Sequence, residues 1–310
     1  MVSRPETTED DILAMTDRTI PISARHGLLR VPGITAYFWI VKSLSTAMGE
    51  SASDYLVNTI DPVVAVAIGF FGFLAALIWQ LTRRRYTAPT YWLAVVMVGV
   101  FGTMAADVMH VGLGVPYPIS TTFYLIALAA VFLLWQRTEK TLSIHTVDST
   151  RREAFYWAAV VATFALGTAA GDLTAMTLHF GYLLSAVLFA AVISIPILGY
   201  RFAGWNPIFA FWFAYVITRP LGASFADWLG KPTTVGGLGL GDGPVTLALT
   251  LAIVGFVTYL AITRRDIQQP SAHATAVGPT ETDTVVLPVA RAWPPDQRTP
   301  DATHDRNRHW

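Results

Sequence analysis

The chain has no cysteine, which removes disulfides, thiolate metal sites, iron–sulfur clusters and cysteine nucleophiles from consideration together. It is also short of charge. Asp, Glu, Lys and Arg make up 14% of the 310 residues, where a soluble domain carries about a quarter. The 21 basic and 21 acidic residues cancel. No basic run with interleaved aromatics offers a footprint for nucleic acid, so no nucleic-acid partner is expected. The opening segment, MVSRPETTEDDILAMTDRT, is acidic and lacks an apolar core, unlike a secretory signal peptide.

Apolar residues stand where charge is missing, at 53% of the chain. They fall into eight continuous stretches, roughly 33–57, 62–82, 89–110, 117–136, 154–177, 181–200, 207–229 and 244–263. Each has about the 20 residues that a helix needs to cross a bilayer. The runs do not alternate apolar with polar, so helices are expected and not a transmembrane barrel. The fold expected is an all-α membrane protein of eight transmembrane helices in contact with the lipid bilayer.

Within those stretches one sentence is written four times without a gap. The copies are FWIVKSLSTAMGESASD (38–54), YWLAVVMVGVFGTMAAD (91–107), YWAAVVATFALGTAAGD (156–172) and FWFAYVITRPLGASFAD (211–227). Each reads aromatic, Trp, nine residues, Gly, three residues, a small residue, Asp. A repeat of this kind fixes the architecture before any other argument. It predicts four two-helix repeats, approximately 31–86, 87–140, 152–202 and 205–265, between a disordered leader (1–30) and a disordered tail (266–310). The tail has no apolar period, and its Pro, Thr, Asp and His content suits a solvated segment. An even number of helices per repeat makes the four repeats parallel, with pseudo-rotational symmetry about the membrane normal, fourfold or two-plus-two.

Lys and Arg set the expected orientation. Arg25, Arg30, Arg83–Arg85, Arg137, Lys140, Arg151, Arg152, Arg201, Arg264 and Arg265 lie on one side, against Lys231 alone on the other. The chain is therefore expected in the cytoplasmic (inner) membrane with both termini in the cytoplasm. The Trp of each repeat then sits near the inner interface, as aromatic belt plus packing, and each Asp lies about 22 Å further along, towards the outside. The Gly-rich segment VGGLGLGDG (235–243) lacks the Lys and Ser/Thr of a phosphate loop and reads as a flexible outer turn.

The Gly and small residue of each repeat form a strip that lets another backbone approach. The adjoining Asp54, Asp107, Asp172 and Asp227 should therefore face protein or a cavity. A carboxylate costs about 2.5–3.5 kcal/mol at the centre of a membrane helix, and a negative charge near a helix C-terminus opposes the macrodipole. Three explanations stay open: acids bridging helix ends in a scaffold, a cation or proton site at the repeat axis, or exposure at the outer rim.

The departures from the repeat are more informative. Copy one adds Lys42, Thr46 and Glu50, which with Asp54 make one polar stripe at four-residue spacing. Where copy one has Glu50, the others have Thr103, Thr168 and Ala223; copy four places Arg219 at the Thr46 position, followed by Pro220. Arg219 can pair with Glu50 if repeats one and four adjoin. Counted as ionised, Lys42 and Arg219 stand against Glu50 and four Asp, an acidic surplus that suits a cation or a proton store. His110 and His179 are candidate outer ligands.

The motif resembles that of a bacterial family of uncharacterised membrane-anchored proteins built of four tandem two-helix repeats of unknown function, each with a Trp. VPGITAYFWIVKSLSTAMGESASDYL and FWFAYVITRPLGASFADWLGKP, the latter followed by GGLGLG, carry the likeness, which covers residues 31–265. It implies the topology and no reaction. The expected function is transport of a small cation, a hard divalent metal or a proton-coupled ion, through Glu50, the four Asp, Lys42, Arg219, Thr46, Thr103 and Thr168. A scaffold or partner subunit is one alternative. A membrane-embedded enzyme or redox subunit, with Glu50 or an Asp as acid/base or with His110 and His179 on a haem, is another. Beyond a bound cation no cofactor is indicated.

Overall fold

The computed structural model describes residues 29–267. Among them there are eight long α-helices and no strand. They are α1 (Ala36–Thr59), α2 (Pro62–Leu81), α3 (Ala88–Asp107), α4 (Tyr117–Glu139), α5 (Thr150–Asp172), α6 (Gly181–Phe202), α7 (Pro207–Gly230) and α8 (Asp242–Thr263). Local chemistry sets several starts. Thr35 caps Phe38 N, Ser149 caps Arg152 N, and Asp61 and Asn206 each accept from two backbone N–H groups ahead of Pro62 and Pro207. Oxygen acceptors followed by proline are strong helix-starting signals.

Seven helices, α2 to α8, are long and apolar enough to cross a membrane. The sequence suggested eight. The exception is α1, which is long enough at 24 residues but carries Lys42, Glu50 and Asp54. Its polarity is tolerated because α3, α7 and α8 all pack against it.

The odd helices form a closed ring in which α1 touches α3, α3 touches α5, α5 touches α7, and α7 touches α1. The even helices lie outside. Each packs chiefly on the odd helix of the following repeat: α2 on α3, α4 on α5, α6 on α7, with α8 closing onto α1. Their outer faces expose Val63, Phe71, Leu133, Leu198 and Ile262. In water such a surface would aggregate; against lipid it is the expected one.

The motif residues make this ring. Phe38 packs on Trp92, Tyr91 on Trp157, Tyr156 on Trp212 and Phe211 on Trp39, with ring centroids 5.7, 5.7, 6.2 and 5.7 Å apart. Each repeat's first aromatic thus meets the next repeat's Trp. The packing expected of these tryptophans is present, since Trp92, Trp157 and Trp212 are buried. The glycines do the same at the other end of the motif. A Cβ on Gly49 would meet the Gly99 backbone of α3, one on Gly102 would meet Phe164 of α5, one on Gly167 Arg219 of α7, and one on Gly222 Thr46 of α1. The helices approach this closely because no side chain intervenes.

Candidate functional site

The ring encloses a polar centre built from all four repeats. Arg219 is fully buried, and its Nη2 donates to Glu50 Oε2 at 2.7 Å and to Thr168 Oγ1 at 2.7 Å. Thr103 Oγ1 also faces Nη2, and itself donates to Glu50 Oε2 at 3.1 Å. Arg219 Nη1 donates to the carbonyl of Thr46 at 3.4 Å. Glu50, Thr103 and Thr168 occupy the same position in three repeats, so their convergence follows from the ring. The Arg stem fits because Gly167 leaves space where a Cβ would lie 2.2 Å from Arg219 Cγ.

Lys42 lies two turns from Glu50 and joins none of this. It is fully buried, and its Nζ has no hydrogen-bond partner among the described residues. It sits over the rings of Phe164 and Tyr215 at 4.2 and 4.4 Å. Aromatic faces attract a cation through their quadrupole, an attraction that strengthens when water is excluded.

Towards the Asp end, the ring opens into a cavity of about 700 Å³. Glu50, Asp54, Asp107, Asp172 and Asp227 all line it, together with Lys231, Tyr117, Tyr182, Met104 and Met176. Carboxylate oxygens of Glu50, Asp54 and Asp227 lie within 4.8 Å of one another. A hard cation holds its oxygens at about 2.0–2.6 Å, so opposed ligands stand roughly 4–5 Å apart, and the three carboxylates suit that span. Asp107 and Asp172 form no ion pair among the described residues and face the same space.

The site residues suggested by the sequence thus divide in two. Glu50 and the four Asp line the cavity, while Arg219, Thr46, Thr103, Thr168 and Lys42 lie beneath it. The Thr103 and Thr168 hydroxyls are engaged with Arg219 and Glu50, whereas the Thr46 hydroxyl donates to the carbonyls of Ser43 and Thr218. His110, in the π-turn Val108–Gly112 after α3, packs tilted against the Tyr117 ring and lies 3.1 Å from the Val115 carbonyl and 3.3 Å from Ser120 Oγ. His179 is exposed, and neither histidine belongs to the carboxylate group.

Three features escaped the sequence reading. One is Lys231, whose Nζ lies 2.6 Å from Asp54 Oδ2 and 3.9 Å from Asp227 Oδ1. Burial pulls its amine down, but the Asp54 and Asp227 carboxylates outweigh that and hold it above the ordinary lysine range. Its isolation as the one basic residue among the odd-to-even loops was the available signal. A second is the pair of π-turns, Val108–Gly112 and Leu173–Thr177, that directly follow Asp107 and Asp172. Such widened turns gather at functional sites. The third lies at the Trp end, where buried Glu153 accepts from Arg30 at 2.7 Å and from Gln80 at 3.2 Å.

The Gly-rich segment is ordered and not the flexible turn expected. Leu238 N donates to Trp228 O at 2.7 Å, Gly239 N to Lys231 O at 2.9 Å, Leu240 N to Leu229 O at 3.1 Å and Gly241 N to Gly230 O at 3.1 Å. Gly236, Gly239 and Gly241 have φ of 89°, 75° and 84°, values at which a side chain is strained. The segment folds back on the end of α7 as a backbone clamp.

A bundle with an apolar exterior, a buried ion pair and an acidic cavity defines the class: an all-helical protein consistent with a multi-pass membrane protein. The chain belongs to the family of the Repeat of Unknown Function (DUF347), with four repeats matched at residues 37–86, 90–141, 155–204 and 210–266. No curated protein and no solved structure matches it.

Proposed function

We propose that the protein is a multi-pass transporter or channel of the cytoplasmic membrane that carries a small cation through the acidic cavity. In this reading Glu50, Asp54 and Asp227 form the cation site, and Asp107 and Asp172 draw cations into the vestibule. Arg219 holds Glu50 in place, with Thr46, Thr103 and Thr168 fixing the arginine. Lys42 lies deeper, two turns from Glu50 towards the Trp end. The observation that carries the proposal is that one cavity collects Glu50 and all four repeat Asp. A scaffold has no need for five carboxylates around one open space, where each raises the cost of the others.

The proposed orientation puts both termini in the cytoplasm, from the Lys and Arg distribution, so the cavity opens outwards. The proposed symmetry is a pseudo-fourfold rotation, supported by the four like aromatic contacts around the ring. The folded unit is taken as 31–265.

Purified protein in liposomes tests the reading, with Mn2+ uptake followed by quenching of a trapped dye. Wild type is expected to take up Mn2+ above empty liposomes. Asp227→Asn should weaken uptake about tenfold or more, at least the loss that follows removal of a group that only orients a metal ligand. No uptake by wild-type protein over empty liposomes overturns the proposal.

A further inference from the structure

We propose that Lys231 is a tethered counter-cation that rests on the carboxylates of the cation site and so makes the site accept divalent in preference to monovalent cations. The inference rests on the cation reading above and adds the class of cation.

The geometry is that of an occupied site. Lys231 Nζ is 2.6 Å from Asp54 Oδ2 and 3.9 Å from Asp227 Oδ1, two of the three carboxylates whose oxygens cluster within 4.8 Å. The backbone of Lys231 is gripped from both sides. Its N–H donates to Asp227 O at 2.9 Å, and its carbonyl accepts from Gly239 N at 2.9 Å. A Cβ at Gly237 would lie 2.0 Å from the Lys231 carbonyl oxygen, so only glycine lets the clamp close. The Gly-rich segment therefore serves to aim one ammonium at two carboxylates.

Charge then decides what displaces it. Counted as ionised, Glu50, Asp54 and Asp227 carry three negative charges, and Arg219 is committed to Glu50. Two remain for Lys231 and whatever enters. A monovalent ion that replaces the ammonium gains no charge and competes with a group held at millimolar or higher effective concentration. A divalent ion brings twice the charge to the same pair, and Coulomb attraction rises in proportion. The tether thus screens out monovalent ions without a size filter.

The test uses the full chain in detergent, with Mn2+ affinity from calorimetry and thermal unfolding in methylammonium or tetramethylammonium chloride. Wild type is expected to bind Mn2+ and to ignore both ammonium ions. Lys231→Ala should bind Mn2+ about tenfold or more tightly. It should also be stabilised by methylammonium, which fits the vacated position, and not by the bulkier tetramethylammonium. If Lys231→Ala does not fold, Gly237→Ala, which pushes the lysine backbone aside while keeping its charge, should tighten Mn2+ binding in the same direction. Unchanged Mn2+ affinity in the variant that folds overturns the inference while leaving cation binding intact. Failure of wild type and variant alike to bind Mn2+ removes the cation reading and this inference with it.

Discussion

Arg219 and Glu50, 169 residues apart, meet at 2.7 Å in the centre of the helix ring, and both are buried. A charge pair so placed gives little net stability over an apolar pair, yet breaking it is costly, because the survivor is left alone in a low-dielectric interior. The pair closes the ring between the first and last repeats.

Arg219→Met is accordingly expected to destabilise the protein by about 3–5 kcal/mol. Arg219→Met with Glu50→Gln should recover a large part of that loss, since no unpaired charge remains. Unfolding in mixed detergent micelles measures both. A double variant as unstable as the single one would show that the arginine acts through packing.

Lys42 behaves differently. Its ammonium has no hydrogen-bond partner among the described residues, only the Phe164 and Tyr215 faces. Lys42→Met loses a cation–π attraction of about 0.5–2 kcal/mol but also removes a buried charge. The expected result is an unfolding midpoint equal to or above that of wild type. Loss of Mn2+ uptake in that well-folded variant would assign the ammonium to transport.

The glycine contacts make a paired prediction. At Gly49 an added Cβ would come within 2.7 Å of the Gly99 carbonyl carbon, backbone against backbone, whereas at Gly255 it would meet nothing within 4 Å. Gly49→Ala should therefore cost about 1–3 kcal/mol by forcing α1 and α3 apart. Gly255→Ala should be neutral or stabilising by up to about 1 kcal/mol from helix propensity. Equal thermal midpoints for the two variants would contradict the close approach.

Asp266, beyond the end of α8, supplies a pH dependence. Burial raises its carboxyl above the ordinary range, against the opposing hydrogen bond from the Tyr86 hydroxyl. The folded state thus holds this proton more tightly than the unfolded chain does. The resulting stabilisation is complete below the unfolded value of about 4 and fades as pH rises through the raised folded value. Asp266→Asn keeps an acceptor for Tyr86 and removes the titration. Its unfolding midpoint should fall less than that of wild type as pH is raised across this window. Parallel midpoint curves would place the proton elsewhere.

Much of this was legible in the chain itself. The four Gly-x3-small-Asp strips foretold which faces turn inwards, and the Gly49, Gly102, Gly167 and Gly222 contacts bear that out. The pairing of Arg219 with Glu50 was open to reasoning because a repeat converts sequence position into depth: residues one turn apart in the motif meet when first and last copies adjoin. The surroundings of Thr103 and Thr168 came only with the fold. As oxygen ligands they suit a cation, but Arg219 reaches them first. The Gly-rich segment was misread because glycine content signals permitted φ, and not whether a backbone partner waits nearby.

Composition and the repeat by themselves determined that the protein is helical, apolar outside and assembled from four like units, because helix length, hydropathy and a fixed spacing of Trp, Gly and Asp are local properties of the chain. Only the tertiary structure decided that the ring closes α7 onto α1, that one cavity gathers five carboxylates, and that Lys231 lies across two of them. Those depend on distances between residues far apart in sequence, set by how closely glycine faces let the helices approach.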